Sequence, residues 1–170
     1  MKRVTPSRVL APVDLSDRSA EAALYAHRLA REFVSELILL HVLEPISIDF
    51  SMIVPSSALL QELMAKQRED AEARLDSIRL PESDVPVQRA VCHGDAAEQI
   101  IRFAKESNAD LIVMPTAGRG RVREFLIGSV TAKVLHDSTI PVLTGVHLEP
   151  TNFPEFGVHH ILCAIDFGAQ

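Results

Sequence analysis

The chain has 170 residues, 47% of them hydrophobic and 24% charged, and a net charge of −6. That is enough for one globular domain with a sizeable core, and it excludes both disorder and a general nucleic-acid binder, whose phosphate partner demands a basic surface. No apolar run approaches the ~18 residues of a membrane span, Pro6, Ser7, Arg8 and Asp14 break any signal-peptide core, and Cys92 and Cys163 are too few for a disulfide framework, so a reducing cytoplasm is the expected compartment.

Arg8 to Asp14 (RVLAPVD) reads as a first strand, nearly all apolar and ending in a carboxylate. Ser16 is placed to cap the helix that follows, in which Ala20, Ala23, His27, Ala30 and Val34 recur at a spacing of three and four. Glu36 to Leu43 (ELILLHVL) is a second buried strand, and Glu44 to Ser57, with Pro45 and Pro55, a long connection. A second helix is expected from about Ala58 to Ile78 with Leu60, Leu63, Ala71, Leu75 and Ile78 inward. Val85 to Cys92 mixes polar with apolar residues and contains Pro86, which removes a ladder donor, so this third strand belongs at a sheet edge. Gly94-Asp95 opens a third helix with Ala97, Ile100, Ile101 and Ala104 on one face.

Leu111 to Met114 is the fourth strand. A loop with Gly118, Gly120 and the arginines 119, 121 and 123 follows, and Gly128-Ser129 starts a helix that runs to about Asp137 through Val130, Val134 and Leu135. Ile140 to Val146 is a fifth strand, with Pro141 marking the opposite edge. Strands alternating with helices mean a parallel sheet with right-handed crossovers. With strands 3 and 5 at the edges the order is 3-2-1-4-5, a doubly wound, Rossmann-like α/β fold. Its winding reverses between strands 1 and 4, and ligands bind at the carboxyl ends beside such a reversal. Asp14 and the glycine loop stand there. A strand, a glycine loop and a helix N-terminus in that order make an anion site, because the first N–H groups of the helix point outward and its dipole favours negative charge.

Several site types are excluded by their missing residues. The first strand-to-helix turn, Asp14-Leu15-Ser16-Asp17, lacks the glycines of a nicotinamide or flavin dinucleotide fingerprint. Gly128 is followed directly by Ser129, without the lysine of a P-loop. Cys92-His93 stand where a phosphoacceptor carboxylate would be, and no G-x-S-x-G elbow occurs. The seven histidines are scattered and predict no metal site.

From Ser7 to Val146 the chain resembles a universal stress protein domain. The ATP-binding members of that family carry G-x-x-G, nine residues and then G-S/T after strand 4; here Gly118, nine residues and Gly128-Ser129 match the second part. Asp14 matches the family's strand-1 aspartate, Val42 in Leu39-Leu40-His41-Val42 its strand-2 valine, and Gly94-Asp95 its opening of helix 3. The resemblance implies that Asp14 and Val42 hold an adenine base and that Gly118, Gly128 and Ser129 hold phosphates, with Met114 at the end of strand 4 counted among the binding residues. The implied ligand is ATP or AMP, with magnesium as its companion ion, and the implied role is stress sensing or signalling. Asp14 as a cap of its own turn, and the glycines as ordinary turn residues, are the structural alternatives.

One departure stands out: the first glycine of the family motif falls on Pro115. Proline has no N–H, so a backbone bond to phosphate is lost there, which is worth ~1.5–3 kcal/mol to a charged acceptor. The hydroxyl of Thr116 is a partial substitute. The alternative function is therefore a dimerisation or scaffold domain that no longer binds nucleotide. A slow ATP hydrolase ranks below both, since no general base is placed in the loop beyond Asp14 and Glu124.

Residues 1–147 are read as this domain, and 148–170 as a linker plus the first strand of an incomplete second repeat. His160 to Phe167 (HILCAIDF) lines up with Arg8 to Leu15 (RVLAPVDL) at a constant offset of 152 residues. A homodimer is expected, through strand 5, by which the family commonly dimerises, or through this apolar tail.

Overall fold

The computed structural model describes residues 5–45, 57–116 and 127–145. Five strands and four helices alternate along them: β1 (Arg8–Pro12), α1 (Asp17–Phe33), β2 (Glu36–Leu43), α2 (Ser57–Asp76), β3 (Val87–His93), α3 (Ala96–Glu106), β4 (Leu111–Pro115), α4 (Ser129–Asp137) and β5 (Val142–Gly145). All strand pairs are parallel, in the order β3-β2-β1-β4-β5. This is the expected doubly wound sheet, with β3 and β5 at its two edges; Pro86 and Pro141 immediately precede those strands and do not lie within them.

The period of two along each strand sorts the core into two layers. Val9, Ala11, Leu37, Leu39 and Val113 face α1 and the end of α2. Leu10, Ile38, Leu40, Ile112 and Met114 face α3 and α4. Because β1, β2 and β4 are covered on both faces, they read in the sequence as unbroken apolar runs.

Two helix faces differ from expectation. Val34 is not on the inner face of α1. It is the C-cap, at φ 55 and ψ 47, and 92% exposed, so the inner face is made by Ala22, Ala23, Ala26, His27, Leu29 and Ala30. In α2 only Ala71 and Leu75 are buried, whereas Leu63 is 45% exposed and Leu60 half-buried. Full burial is thus confined to the last turns of α2, where it meets the core. In α4, Leu135 is likewise exposed, while Val134 is fully buried and Val130 packs at the edge of the core. The connection 46–56, the loop 117–126, with Gly118, Gly120, the three arginines and Glu124, and the tail 146–170 with its repeat all lie outside the described residues.

Candidate functional site

The crevice at the reversal between β1 and β4 is a cleft of about 580 Å³. Its walls come from the carboxyl ends of the strands: Pro12, Val13 and Asp14 after β1, Leu40 to Glu44 at and after the end of β2, and Met114 and Pro115 of β4. Gly128 to Thr131 at the start of α4 close one side, Ala96 and Ile100 of α3 another, and Gln67 reaches in from α2. Five of the six sequence-predicted site residues, Asp14, Val42, Met114, Gly128 and Ser129, line this one cleft. The sixth, Gly118, lies outside the described residues.

The phosphate side is built by α4. Its N-cap is Gly128, in extended conformation (φ −64, ψ 151), with no side-chain cap and no acidic residue in the first turn. The other capped helices differ. Ser16 Oγ accepts from Ser19 N in α1, and Asp95 Oδ1 accepts from Glu98 N at 3.0 Å in α3. The α3 start is further occupied by Lys133, whose Nζ bridges Asp95 at 3.2 Å and Glu98 at 3.1 Å. The backbone N–H of Glu98 and then the Lys133 ammonium hold the Asp95 carboxyl below its usual range, and Glu98 and Asp95 raise Lys133. Among the described residues, an incoming anion therefore meets a carboxylate at α3 and uncapped N–H groups at α4.

Which N–H groups those are is specific. Gly128 donates its own N–H to Thr116 O at 2.7 Å, and the first helical bond runs from Ala132 N to Gly128 O. Among the described residues, the donors left for a ligand are thus those of Ser129, Val130 and Thr131. Gly128 closes the loop and turns the chain into the helix. Pro115, whose missing N–H is the departure from the family motif, ends β4 beside Gly145, and its carbonyl accepts from Thr131 Oγ1 at 3.1 Å. Thr116 is anchored to the edge strand: its N–H donates to Gly145 O at 3.2 Å and its hydroxyl lies 3.5 Å from the same oxygen.

The opposite side is built by the turn after β1. Asp14 Oδ1 accepts from Ser16 N at 3.0 Å and from Ser16 Oγ at 2.5 Å, so the aspartate does shape its own turn while lining the cleft. Leu15 stands at φ 60, the left-handed region that a non-glycine residue enters at a cost. His41 Nδ1 lies 2.7 Å from Val13 O. Val42 packs against the α3–α4 layer and supplies an apolar wall. Ahead of α3, Gly94 at φ +137 lets β3 turn into the helix; a Cβ there would lie 2.6 Å from Gln99 Nε2.

Gln67 and Thr131 were not singled out by the sequence. Gln67 is the polar member of the stripe Leu60, Leu63, Gln67, Ala71, Leu75, and a lone amide in such a stripe is the signal that marks it. A larger hollow of about 960 Å³ lies at the amino ends of the strands, lined among others by Ser7, Arg8, Glu36 and Asp110. Three of its charged side chains are engaged within the fold. Arg8 pairs with Glu36 at 2.6 Å, and Asp110 accepts from the N–H groups of Ser7 and Arg8 at 2.7 and 3.0 Å. Among the described residues no group of three or more His, Cys, Asp or Glu is placed to hold a metal ion.

The model of the Universal stress protein family matches residues 6–144. Universal stress protein MJ0531 of Methanocaldococcus jannaschii is 32% identical over 141 residues, covering 80% of this chain and 79% of its own. The solved structure of MJ0577 superposes with a TM-score of 0.66 at 26% identity, over 83% of this chain and 96% of that one. A universal stress protein in complex with cAMP superposes with a TM-score of 0.54 at 24% identity, over 83% of this chain and 97% of that one.

Proposed function

The chain belongs to the universal stress protein family, and on that premise we propose that its crevice holds an adenine nucleotide, ATP or AMP, in a stress-response sensing or signalling role. The observation that carries this reading is the uncapped start of α4, with the N–H groups of Ser129, Val130 and Thr131 facing a cleft whose other wall bears Asp14 and Val42. The volume of about 580 Å³ is within the ~300–1,000 Å³ of small-molecule sites. The same fold holds cAMP in the complex described above.

In this reading the phosphates sit on the α4 N-terminus, joined by Gly118 from the loop. The base lies between Val42 and Met114, and the Asp14 carboxylate, which only accepts, selects a base edge that donates, as the amino group of adenine does. Magnesium enters with the phosphates of ATP. A cytoplasmic location, where nucleotide is abundant and thiols stay reduced, suits such a module.

Calorimetric titration with AMP and with ATP and magnesium tests it. Ser129→Pro is the decisive variant. Proline is tolerated at the first helical position, and Gly128 already has the extended ψ that a following proline requires. The variant keeps the helix and removes one donor, which weakens nucleotide binding about ten- to a hundredfold. Ser129→Ala separates out the hydroxyl. No heat from the folded wild-type chain at millimolar nucleotide overturns the reading.

Pro115 favours the second reading, a scaffold domain without nucleotide. Pro115→Gly restores the missing N–H; binding that appears only in this variant establishes it.

A further inference from the structure

The turn after β1 is held from outside. Val13 is fixed twice by β2: its N–H donates to Leu40 O at 2.8 Å, and its carbonyl lies 2.7 Å from His41 Nδ1. A carbonyl only accepts, so Nδ1 carries the proton of that bond. Two residues on, Leu15 O accepts from Arg74 Nη2 of α2 at 3.0 Å. Between these two clamps lies Asp14, and Leu15 stands at φ 60. A leucine in the left-handed region persists only where its surroundings enforce it, at a cost of ~1–2 kcal/mol. The strain and the two clamps are independent observations on the same four residues.

We propose that His41 and Arg74 are positioning residues for the Asp14 carboxylate. They hold the Val13–Ser16 turn in the strained shape that aims the carboxylate into the cleft. This rests on the nucleotide reading above, and it predicts where base selectivity comes from. His41 lines the cleft itself, whereas Arg74 works from outside it. Without either clamp the turn relaxes, and the carboxylate no longer meets the 6-amino group of the base at the right distance. The phosphate end, built on α4, is left intact.

The test compares AMP with inosine monophosphate, which carries an oxo group in place of that amino group. Titrations use the full chain as wild type, His41→Leu, His41→Asn and Arg74→Met, with thermal unfolding followed for each. His41→Leu and Arg74→Met are each expected to weaken AMP about three- to tenfold, the range for one hydrogen bond, and to leave inosine monophosphate unchanged. His41→Asn, whose amide N–H takes nearly the place of Nδ1, recovers most of the loss. Equal weakening of both nucleotides, or no weakening of AMP, overturns the proposal. Should His41→Leu fail to fold, the exposed Arg74→Met decides alone. A wild-type chain that binds neither nucleotide fails the nucleotide reading itself, an outcome distinct from binding that the variants leave unchanged.

Discussion

Val34 and His27, both on the inner-face stripe expected for α1, have opposite fates. Val34 ends the helix in the left-handed conformation, its N–H donating back to the carbonyls of Ala30 and Arg31. A β-branched residue is costly there, and at 92% exposure its side chain buries little. Val34→Gly is expected to stabilise the fold by about 1 kcal/mol, read as a raised midpoint in urea with an unchanged slope. His27 is truly inside, 2% exposed, with Nε2 2.8 Å from Ser83 Oγ. Burial, and then the nearby Arg31 charge, lower its pKa from 6.5. The unfolded chain therefore takes up a proton at this ring before the folded one does, so stability falls as pH drops below about 6.5 and levels off once the folded ring also protonates. The slope is at most about 1.4 kcal/mol per pH unit. His27→Gln, which keeps a partner for Ser83, is expected to flatten the unfolding temperature between pH 7.5 and 5.5; an unchanged slope refutes this.

Helix α2 shows what periodicity alone conceals. Its apolar residues recur as if the whole length were packed, yet Leu59, Leu63 and Met64 are exposed and burial begins only at Ala71. A helical stripe is a property of the helix; how much of it finds a partner depends on where the sheet ends. Hydrogen exchange should therefore be uneven. Amides of residues 61–68 are expected to exchange well before those of 71–76, because local opening there exposes little new apolar surface. Uniform protection along the helix would contradict this. Helices α3 and α4 make the complementary point. Asp95 was legible as the start of α3, but the Lys133 bridge from α4 to Asp95 and Glu98 joins residues 38 and 35 positions apart. No local pattern announces such a pair.

The assembled sheet leaves β3 and β5 as edges. We propose that two copies of the chain associate, through β5 or through the tail. Light scattering is expected to give twice 18.7 kDa. Deleting Phe153–Gln170 then assigns the contact: a persisting dimer points to β5, a monomer to the tail.

Strand existence, strand order and the position of the crevice could be read from the chain, because a strand buried on both faces has to be continuously apolar. The prolines were a weaker guide: Pro86 and Pro141 stand just before β3 and β5, whereas the central strands β1 and β4 themselves end on Pro12 and Pro115. Asp14 was legible as the carboxylate that ends the first apolar run, and Gly128 and Ser129 as a glycine-led helix start after the fourth, both beside the winding reversal; Val42 and Met114 came with the family resemblance. Which backbone donors remain for a ligand was decided only by tertiary contacts. Gly128 spends its N–H on Thr116, leaving the next three, and the Leu15 carbonyl is held by an arginine 59 residues away. Hydrophobic burial is written in composition and period, whereas a hydrogen bond between distant loops depends on angles and distances that exist only once the layers have packed.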